Sequence, residues 1–570
     1  MAIALGILLA APSLTTGLCA DDWLQSLVAR GLHPFAGLPE SRLDLFSFAG
    51  HDPRTIAPLI DAGMFPWWTD PTVKLAFWRP LSSLTHLLDW SLWPGSPWLM
   101  HLHSLLWFGL ALAAVAAFYR RFLGPVATAG LATVLYAVDD AHGPAVGWIA
   151  NRNAMVAVAA ALPVVLLHDR WRRDGWRAGA WLGPLLLGVA LLAGESSLAV
   201  VAYLVAYALC LDRARWRARV VSLAPHLAVV VVWRVVYRGL GYGTAASGVY
   251  LDPGSDPLAF VAALPSRAAY LIASQLALPW SDFATMWPFV SARAATVALT
   301  LAALTVALAV LLFLPLCRRD PVARFFAVGA LLSVVPIAST FPADRLLWFV
   351  GVGAMGLVAR WLATAPRAPW AAAVSALLVF LHLIVAPPLL ALRSRSMNTV
   401  GRPLRRANDS LPASAALAGR VVILVNPPAD LFAGYLVLLR AADGDPLPPL
   451  HWLATGTSAV ELTRTDERTL RVRPDGGFIP FISEHMLRDP RRPILRGSEI
   501  RMRALTIEVT EVGPDGRPAE VMAHFDRSLD ASSLYWARWE GGRYVAFSPP
   551  PVGARVVLPA TSFLEAVFGK

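Results

Sequence analysis

Charge is what this chain has least of. Only 15% of its 570 residues are Asp, Glu, Lys or Arg, where a soluble domain carries roughly a quarter. Several soluble domains could not be covered with so little polar surface, so the length does not describe an array of soluble enzymes. Cysteine is scarce too. Cys19, Cys210 and Cys317 each lie in or beside an apolar run, and their spacing fits neither a metal site nor a disulfide framework. Internal repeats and low-complexity tracts are absent. What is abundant is grease: 56% hydrophobic residues and a mean hydropathy of +0.55, which exclude a disordered or collagen-like chain. The net charge of +11 is what the cytoplasmic loops of a membrane protein contribute, and it does not argue for nucleic acid.

A helix needs about 20 mostly apolar residues to cross a bilayer. Eleven runs qualify, some with help from their flanks: 2–19, 99–118, 125–138, 146–167, 179–194, 197–211, 220–238, 293–316, 325–340, 345–363 and 369–391. Basic clusters orient them. Arg120 and Arg121 follow the second run, Arg170, Arg172, Arg173 and Arg177 the fourth, and Arg213, Arg215, Arg217 and Arg219 the sixth. Arg318, Arg319 and Arg324 follow the eighth, and Arg360 and Arg367 the tenth. Each falls after an even-numbered run, which places the N-terminus in the cytoplasm and the tail outside the inner (plasma) membrane. Residues 258–280 would upset that alternation if they crossed. Pro265, Arg267, Gln275 and Pro279 interrupt them, so an interfacial or re-entrant hairpin on the outer side is expected. The first run lacks a basic leader, and Leu18-Cys19-Ala20 matches a cleavage site poorly, so an uncleaved span is expected.

The fold class is therefore a multi-span α-helical membrane protein of about 11 transmembrane helices with a soluble tail. Residues 1–392 form the membrane part, 393–419 an Arg-rich connector, and 420–570 an extracytoplasmic, β-rich α+β domain. In the tail, Val421–Val425 reads as a strand and Leu431–Leu439 as a short helix. Leu505, Ile507 and Val509 alternate with polar residues, Pro514-Asp515-Gly516 turns, and Val521, Ala523 and Phe525 alternate again, which is a hairpin. The outer loop 20–98 is long, and long loops tend to carry function. Within it, 22–32 and 81–93 place Trp and Leu at helical spacing, as expected of helices lying in a membrane interface.

Ionisable groups near a bilayer are costly and mark function. Here Asp21, Asp22, Arg79, His86, Asp89, His101, His103, Asp139, Asp140, His142, Arg152, Glu195, Arg234, Arg238, Asp344 and Arg345 all fall near outer ends of spans. A transporter would hold such groups near the midplane, and a channel would ring a pore with them. One outer face carrying both carboxylates and arginines suits chemistry on a lipid-linked substrate. The carboxylate takes a proton and the arginine holds a phosphate.

The acidic pair Asp21-Asp22 after the first span, then Arg79-Pro80-Leu81, His101, Gly147-Trp148-Ile149-Ala150-Asn151-Arg152 and Glu195-Ser196, resemble the GT-C superfamily of membrane glycosyltransferases. The likeness is to the group holding protein O-mannosyltransferases and aminoarabinose transferases, and it covers roughly residues 1–240. It implies a GT-C-like membrane domain and transfer of a sugar from a polyprenyl-phosphate carrier to a lipid, glycan or protein acceptor. It further implies Asp21 as base or metal-linked carboxylate with Asp22 beside it, and Arg345 on the carrier phosphate. Arg79, Arg152 and Arg234 are further phosphate candidates. Asp140, His142, Glu195 and His101 are candidates for the cavity wall. Gly194 stands where relatives often have Lys, and His103, Ser104 and Trp107 follow His101 where relatives often show Asn and a second His. No cofactor is dictated, although the acidic pair admits a divalent metal.

Each candidate has a plainer reading beside it. Asp21 and Asp22 suit a helix start, the arginines can snorkel to headgroups, and Asp139 or Asp140 can pair with Arg152 to neutralise a buried charge. Gly239-Leu240-Gly241-Tyr242-Gly243 follows a membrane helix rather than a strand, so it is a loop. The alternatives to a glycosyltransferase are a lipid or saccharide transporter and a non-catalytic relative with a binding tail. The orientation is testable in a chain whose three cysteines have been replaced. A membrane-impermeant maleimide applied to intact cells should label Ser41→Cys and Asp515→Cys but not Ala178→Cys, and the reverse pattern would overturn it.

Overall fold

Helix Trp348–Thr364 is apolar on every side, and a helix of that kind has to be surrounded. Every residue from Trp348 to Ala359 is buried. Three buried tyrosines donate hydrogen bonds to carbonyls in its first turns: Tyr119 to Val352 at 2.7 Å, Tyr136 to Trp348 at 3.0 Å and Tyr203 to Phe349 at 2.5 Å. Small residues let a neighbouring helix, Pro321–Ile337, approach closely. A Cβ on Gly353 would stand 2.5 Å from the Phe326 carbonyl oxygen and 2.6 Å from the Ala330 Cβ.

The structure is a computed structural model and describes residues 1–33, 35–285, 291–481 and 483–568. The chain divides into two units. The first comprises Met1–Leu18, Phe77–Gly243 and Leu251–Met397, and the second comprises Cys19–Ala76, Thr244–Tyr250 and the chain from Asn398 onward. Residues 19–76, which the sequence places in the outer loop, thus group with the tail.

The first unit is helical. Among the described residues six helices are long and apolar enough to cross a membrane: Pro97–Phe122, Ile149–Asp174, Trp216–Gly239, Pro257–Leu276, Ala292–Arg319 and Pro369–Asp409, the last running on past the unit boundary. Shorter apolar helices cover Ala2–Thr15, Val126–Ala137, Gly179–Leu191, Glu195–Cys210, Pro321–Ile337 and Trp348–Thr364. Every one of the eleven expected spans has its helix. The first is cut short: the α-helix Ala2–Ala10 passes into a 3-10 turn, Ala11–Thr15, with Pro12 near its start.

The expected hairpin is corrected. Residues 258–280 do not form a hairpin, because Pro257–Leu276 is a single helix that absorbs Pro265. The segment before it donates from the Leu251 amide to the Ser339 carbonyl at 2.7 Å. Mid-helix, Arg267 donates to the Ala338 carbonyl at 2.8 Å. After it, the Ser281 amide and hydroxyl donate to Asp344 at 2.9 and 2.6 Å. One short turn, 338–344, therefore touches this segment before, within and after the helix. A helix of 20 residues crossing a bilayer would carry its two ends about 30 Å apart to opposite sides. This one lies along the ends of its neighbours, on the face that carries that turn.

The helix Pro80–Leu92 has its polarity reversed. Ser82, Ser83, Thr85, His86 and Asp89 are buried, while Leu84, Leu88 and Leu92 are 49%, 53% and 63% exposed. An apolar stripe turned outward is what hydrocarbon requires. The other helix expected at an interface, Asp21–Arg30, is buried continuously from Asp22 to Ala29. It is a packed helix of the second unit rather than an interfacial one.

The second unit is β-rich. Its larger sheet runs in the order Arg555–Leu558, Val460–Arg464, Thr469–Pro474, Pro518–Phe525, Leu505–Val512, Glu499–Arg501, antiparallel throughout. The expected hairpin is at its centre, with Val509 opposite Val521 and Ile507 opposite Ala523. A second sheet orders Arg543–Ala546, Leu534–Glu540, Val421–Leu424 and Leu450–Trp452, with parallel pairs flanking Val421–Leu424. Helix Leu431–Ala442 follows, as expected.

Overpacking should be felt most at the central helix. Gly353→Leu should cost at least the roughly 1–3 kcal/mol of an overpacked core and lower the yield of monodisperse protein in size-exclusion chromatography, whereas Leu88→Ala on the outward stripe should leave that yield unchanged.

Candidate functional site

Of the four arginines of the first unit expected to meet a phosphate, Arg152, Arg234 and Arg345 have three different surroundings. Arg152 is fully buried at the start of its helix. It pairs with Asp89 at 2.5 Å and donates to Ser104 Oγ at 3.0 Å, the Thr85 carbonyl at 3.2 Å and the Met100 carbonyl at 2.8 Å. His103 Nδ1 lies 2.7 Å from the same aspartate. Such a buried pair holds together the segments it joins, and its guanidinium is engaged within the protein. The sequence offered Asp139 or Asp140 as its partner; the partner is Asp89.

Arg234 is neutralised. One of its Nη atoms donates to both carboxylate oxygens of Asp252, at 2.7 and 2.6 Å, and its guanidinium lies over the Tyr237 ring. Arg345 is held differently. It lies between the rings of Trp148 and Phe341, 5.3 and 5.5 Å from their centroids. Among the described residues no hydrogen bond and no ion pair is made to it. The rings orient the cation through its flat faces, and its N–H edge is not used by any carboxylate.

Arg79 begins helix Pro80–Leu92 as its cap residue. Its Nε donates to Glu195 at 2.7 Å, and the Tyr237 hydroxyl donates to the other oxygen of Glu195 at 3.1 Å. Arg79 and Glu195 are each about one-fifth exposed. A Cβ on Gly194 would meet Arg79 and Asn153 at 3.5–3.8 Å, so this glycine sits against Arg79.

The remaining candidates are engaged with groups of their own unit. His142 is buried among Tyr136, Trp348 and Phe108, with ring centroids 4.5, 4.3 and 5.7 Å away. Burial pushes its imidazole down to about 3, so it is neutral. His101 Nε2 is 3.0 Å from the Gly17 carbonyl, tying the second helix to the end of the first. Asp140 pairs with Arg393 at 2.5 Å, and the same guanidinium reaches Asp282 at 2.5 Å and Asp344 at 2.6 Å. Next to this cluster, Asp139 accepts from Gln275 at 2.7 Å. Burial first, and then Asp140, push its carboxyl upward.

Three residues in the stretch from Gly147 to Arg152 each have a contact that explains the residue type. Gly147 lets the backbone of Ser394 approach, since a Cβ there would sit 2.1 Å from its carbonyl oxygen. Trp148 stacks on Arg345. Arg152 forms the buried pair with Asp89.

Asp21 and Asp22 belong to the second unit. They open helix Asp21–Arg30 after Ala20, whose φ of 49° is unusual for a residue with a Cβ. Asp22 is buried and accepts the Cys19 amide at 3.0 Å, which fixes that turn. Asp21 accepts from the Tyr435 hydroxyl at 2.6 Å. Elsewhere in this unit Glu484 accepts from Thr455 at 2.6 Å and from the Phe481 amide at 3.1 Å, and burial pushes it up to about 7. A cavity of about 780 Å³ lined by Arg406, Asn426, Arg538 and Arg543 includes none of the expected residues. Among the described residues no group of three or more His, Cys, Asp or Glu is placed to hold a metal.

Sequence reasoning missed Arg393, Asp282, Gln275 and Tyr435. Arg393 follows the last apolar run and read as a connector charge. The excess of acids in the outer turns was the signal that a cation had to be found for them. Tyr435 lies inside an apolar helix and carried no signal.

No protein-family model and no curated protein matches this chain. A solved structure does: ArnT from Cupriavidus metallidurans bound to undecaprenyl phosphate, at 14% identity, over 79% of this chain and 88% of that one, with a TM-score of 0.36.

Breaking the Arg152–Asp89 pair tests its role. Asp89→Ala leaves a buried cation unmatched and should cost about 3–5 kcal/mol, seen as a lower midpoint in thermal unfolding of the detergent-solubilised chain. The double change Asp89→Leu with Arg152→Met should recover most of that loss. A near wild-type midpoint for Asp89→Ala would contradict a structural role.

Proposed function

We propose that this protein is a membrane glycosyltransferase that moves a sugar from a polyprenyl-phosphate carrier to an acceptor at the extracytoplasmic face. The observation that carries the reading is Arg345, a guanidinium clasped by Trp148 and Phe341 to which no hydrogen bond or ion pair is made among the described residues. The N–H edge of a guanidinium matches the oxygens of a phosphate, and rings that hold it in place lower the ordering cost of binding. Arg79 adds support. It is braced by Glu195 at the head of a helix whose outward stripe is Leu84, Leu88 and Leu92. A cation joined to an apolar ridge suits a ligand that is a phosphate joined to a hydrocarbon.

In this reading Asp21 accepts the proton of an acceptor hydroxyl as its oxygen attacks the anomeric carbon. The bond from that carbon to the carrier phosphate breaks, and the carrier leaves with the bonding pair. Arg345 stabilises the charge that grows on the departing phosphate, and stabilisation aimed at developing charge is where catalysis gains most. Attack opposite the leaving group inverts the anomeric centre. Arg152 and Arg234 take no part in phosphate binding, because Asp89 and Asp252 already neutralise them.

The test is transfer itself. Vesicles holding the full chain would be given synthetic polyprenyl-phosphate hexoses and pentoses labelled in the sugar, with envelope extract as acceptor source. Label should leave the carrier with at least one donor. Arg345→Ala should slow that step by roughly 100-fold or more, and Asp21→Asn should abolish it while still inserting in the membrane. Label remaining on the carrier with every donor, or full activity in Arg345→Ala, would overturn the reading. Movement of uncleaved carrier across the vesicle wall would instead favour transport.

A further inference from the structure

Asp21 does not stand alone in its unit, and the group that touches it comes from the far end of the sequence. Helix Leu431–Ala442 starts at Asp430, which caps it by accepting the Leu431 amide at 2.8 Å. Gly434, one residue before Tyr435, lets this helix close on the 62–66 turn. A Cβ there would sit 2.6 Å from the Met64 carbonyl oxygen. On the other side the Tyr435 ring meets Trp23 edge-on, with centroids 6.2 Å apart. The helix is therefore held close to the 62–66 turn, the ring is packed against Trp23, and the hydroxyl lies 2.6 Å from Asp21 Oδ1.

We propose that Tyr435 is a positioning residue for Asp21: its hydroxyl donates to the carboxylate, keeps it ionised and sets its orientation for the acceptor hydroxyl. The inference rests on the reading of Asp21 as the base. A hydrogen bond donated to a carboxylate favours the charged form, and a base must be charged to accept a proton. Asp22 and Cys19 are the neighbours of Asp21 in its own segment, Asp430 acts on Tyr435, and Arg405 lies over the Trp23 ring at 6.0 Å and is paired to Asp443 at 3.1 Å. The phenol itself stays protonated, since burial first and Asp21 second hold it well above the usual tyrosine range.

The C-terminal part of the chain thereby acquires a role in the reaction besides any contact it makes with an acceptor. The step remains balanced: the acceptor proton passes to Asp21, and Tyr435 keeps its own.

The test reads the carboxyl directly and then through transfer. The full-length protein in vesicles would be treated with a hydrophobic carbodiimide, which reacts with protonated carboxyls. Labelling would be assigned to Asp21 by fragment mass spectrometry across a pH series, with Asp21→Asn as the blank. Tyr435→Phe removes the donor and keeps the ring. Its labelling midpoint should lie about one pH unit higher, the equivalent of one hydrogen bond to a charged group. The acid limb of its kcat profile should rise by the same amount, with the donor KM unchanged, and adding Tyr435→Phe to Asp21→Asn should change nothing further. An unmoved midpoint, alongside an inactive Asp21→Asn, overturns the positioning role alone. Full transfer by Asp21→Asn overturns the base assignment and the positioning role together. A fall in kcat with unshifted midpoint and pH limb would mean that Tyr435 is only structural, and would also overturn it.

Discussion

One guanidinium organises an end of the helical unit. Arg393 follows the last apolar run and bonds to Asp140, Asp282 and Asp344, which come from three segments far apart in sequence. Removing several charges from water costs several kcal/mol each, and only close pairing with further hydrogen bonds offsets it. Those bonds are present: Asp344 also accepts from Ser274 and from the Ser281 amide and hydroxyl, and the Asp344 amide donates to Asp282. The requirement propagates outward. The last helix must come close enough to deliver Arg393, which is why Gly143 and Gly147 have no side chain where Arg393 and Ser394 pass. Trp148 follows directly, and its position against Arg345 is inherited from that packing.

The same residue type acquires opposite roles according to what faces it. Arg152 meets a fully buried aspartate and is held in an ion pair. Arg234 meets Asp252 and is neutralised. Arg345 meets two aromatic rings, which hold a cation by its faces and do not compete for its N–H edge. Position near a span end, which all three share, does not separate them. The identity of the opposing group does, and Asp89 for Arg152 and Trp148 for Arg345 are distant in sequence.

Much of the architecture was legible because hydrophobic length is a local property. Each of the eleven apolar runs is a helix, and the alternation at 505–525 is a hairpin. Where the reading failed, a local rule met a non-local partner. Pro265 suggested a break, yet the helix Pro257–Leu276 accommodates it while its flanks are bonded along one turn. The Trp- and Leu-spaced segment 22–32 resembled an interfacial helix, but it is packed within the second unit. Its counterpart at 81–93 keeps an outward leucine stripe because its polar face carries Asp89, the partner of Arg152. Of the candidate site, the residue types were legible. Arg393 and Tyr435 were not, since a cation after a span and a tyrosine in an apolar helix each have many uneventful explanations.

What the sequence determined by itself is the solvent: a chain with this little charge, placed in clusters between apolar runs, has to put helices in a bilayer. Backbone hydrogen bonds cannot be left open there, so helices of those lengths follow from composition alone. What the tertiary structure decided is the state of each polar group, whether paired, capped, stacked or presented. An ion pair or a hydrogen bond depends on distances of about 3 Å, and only the packing of remote segments sets distances on that scale. That is why Asp21 could be singled out from the sequence, and why Tyr435, 414 positions away, could not.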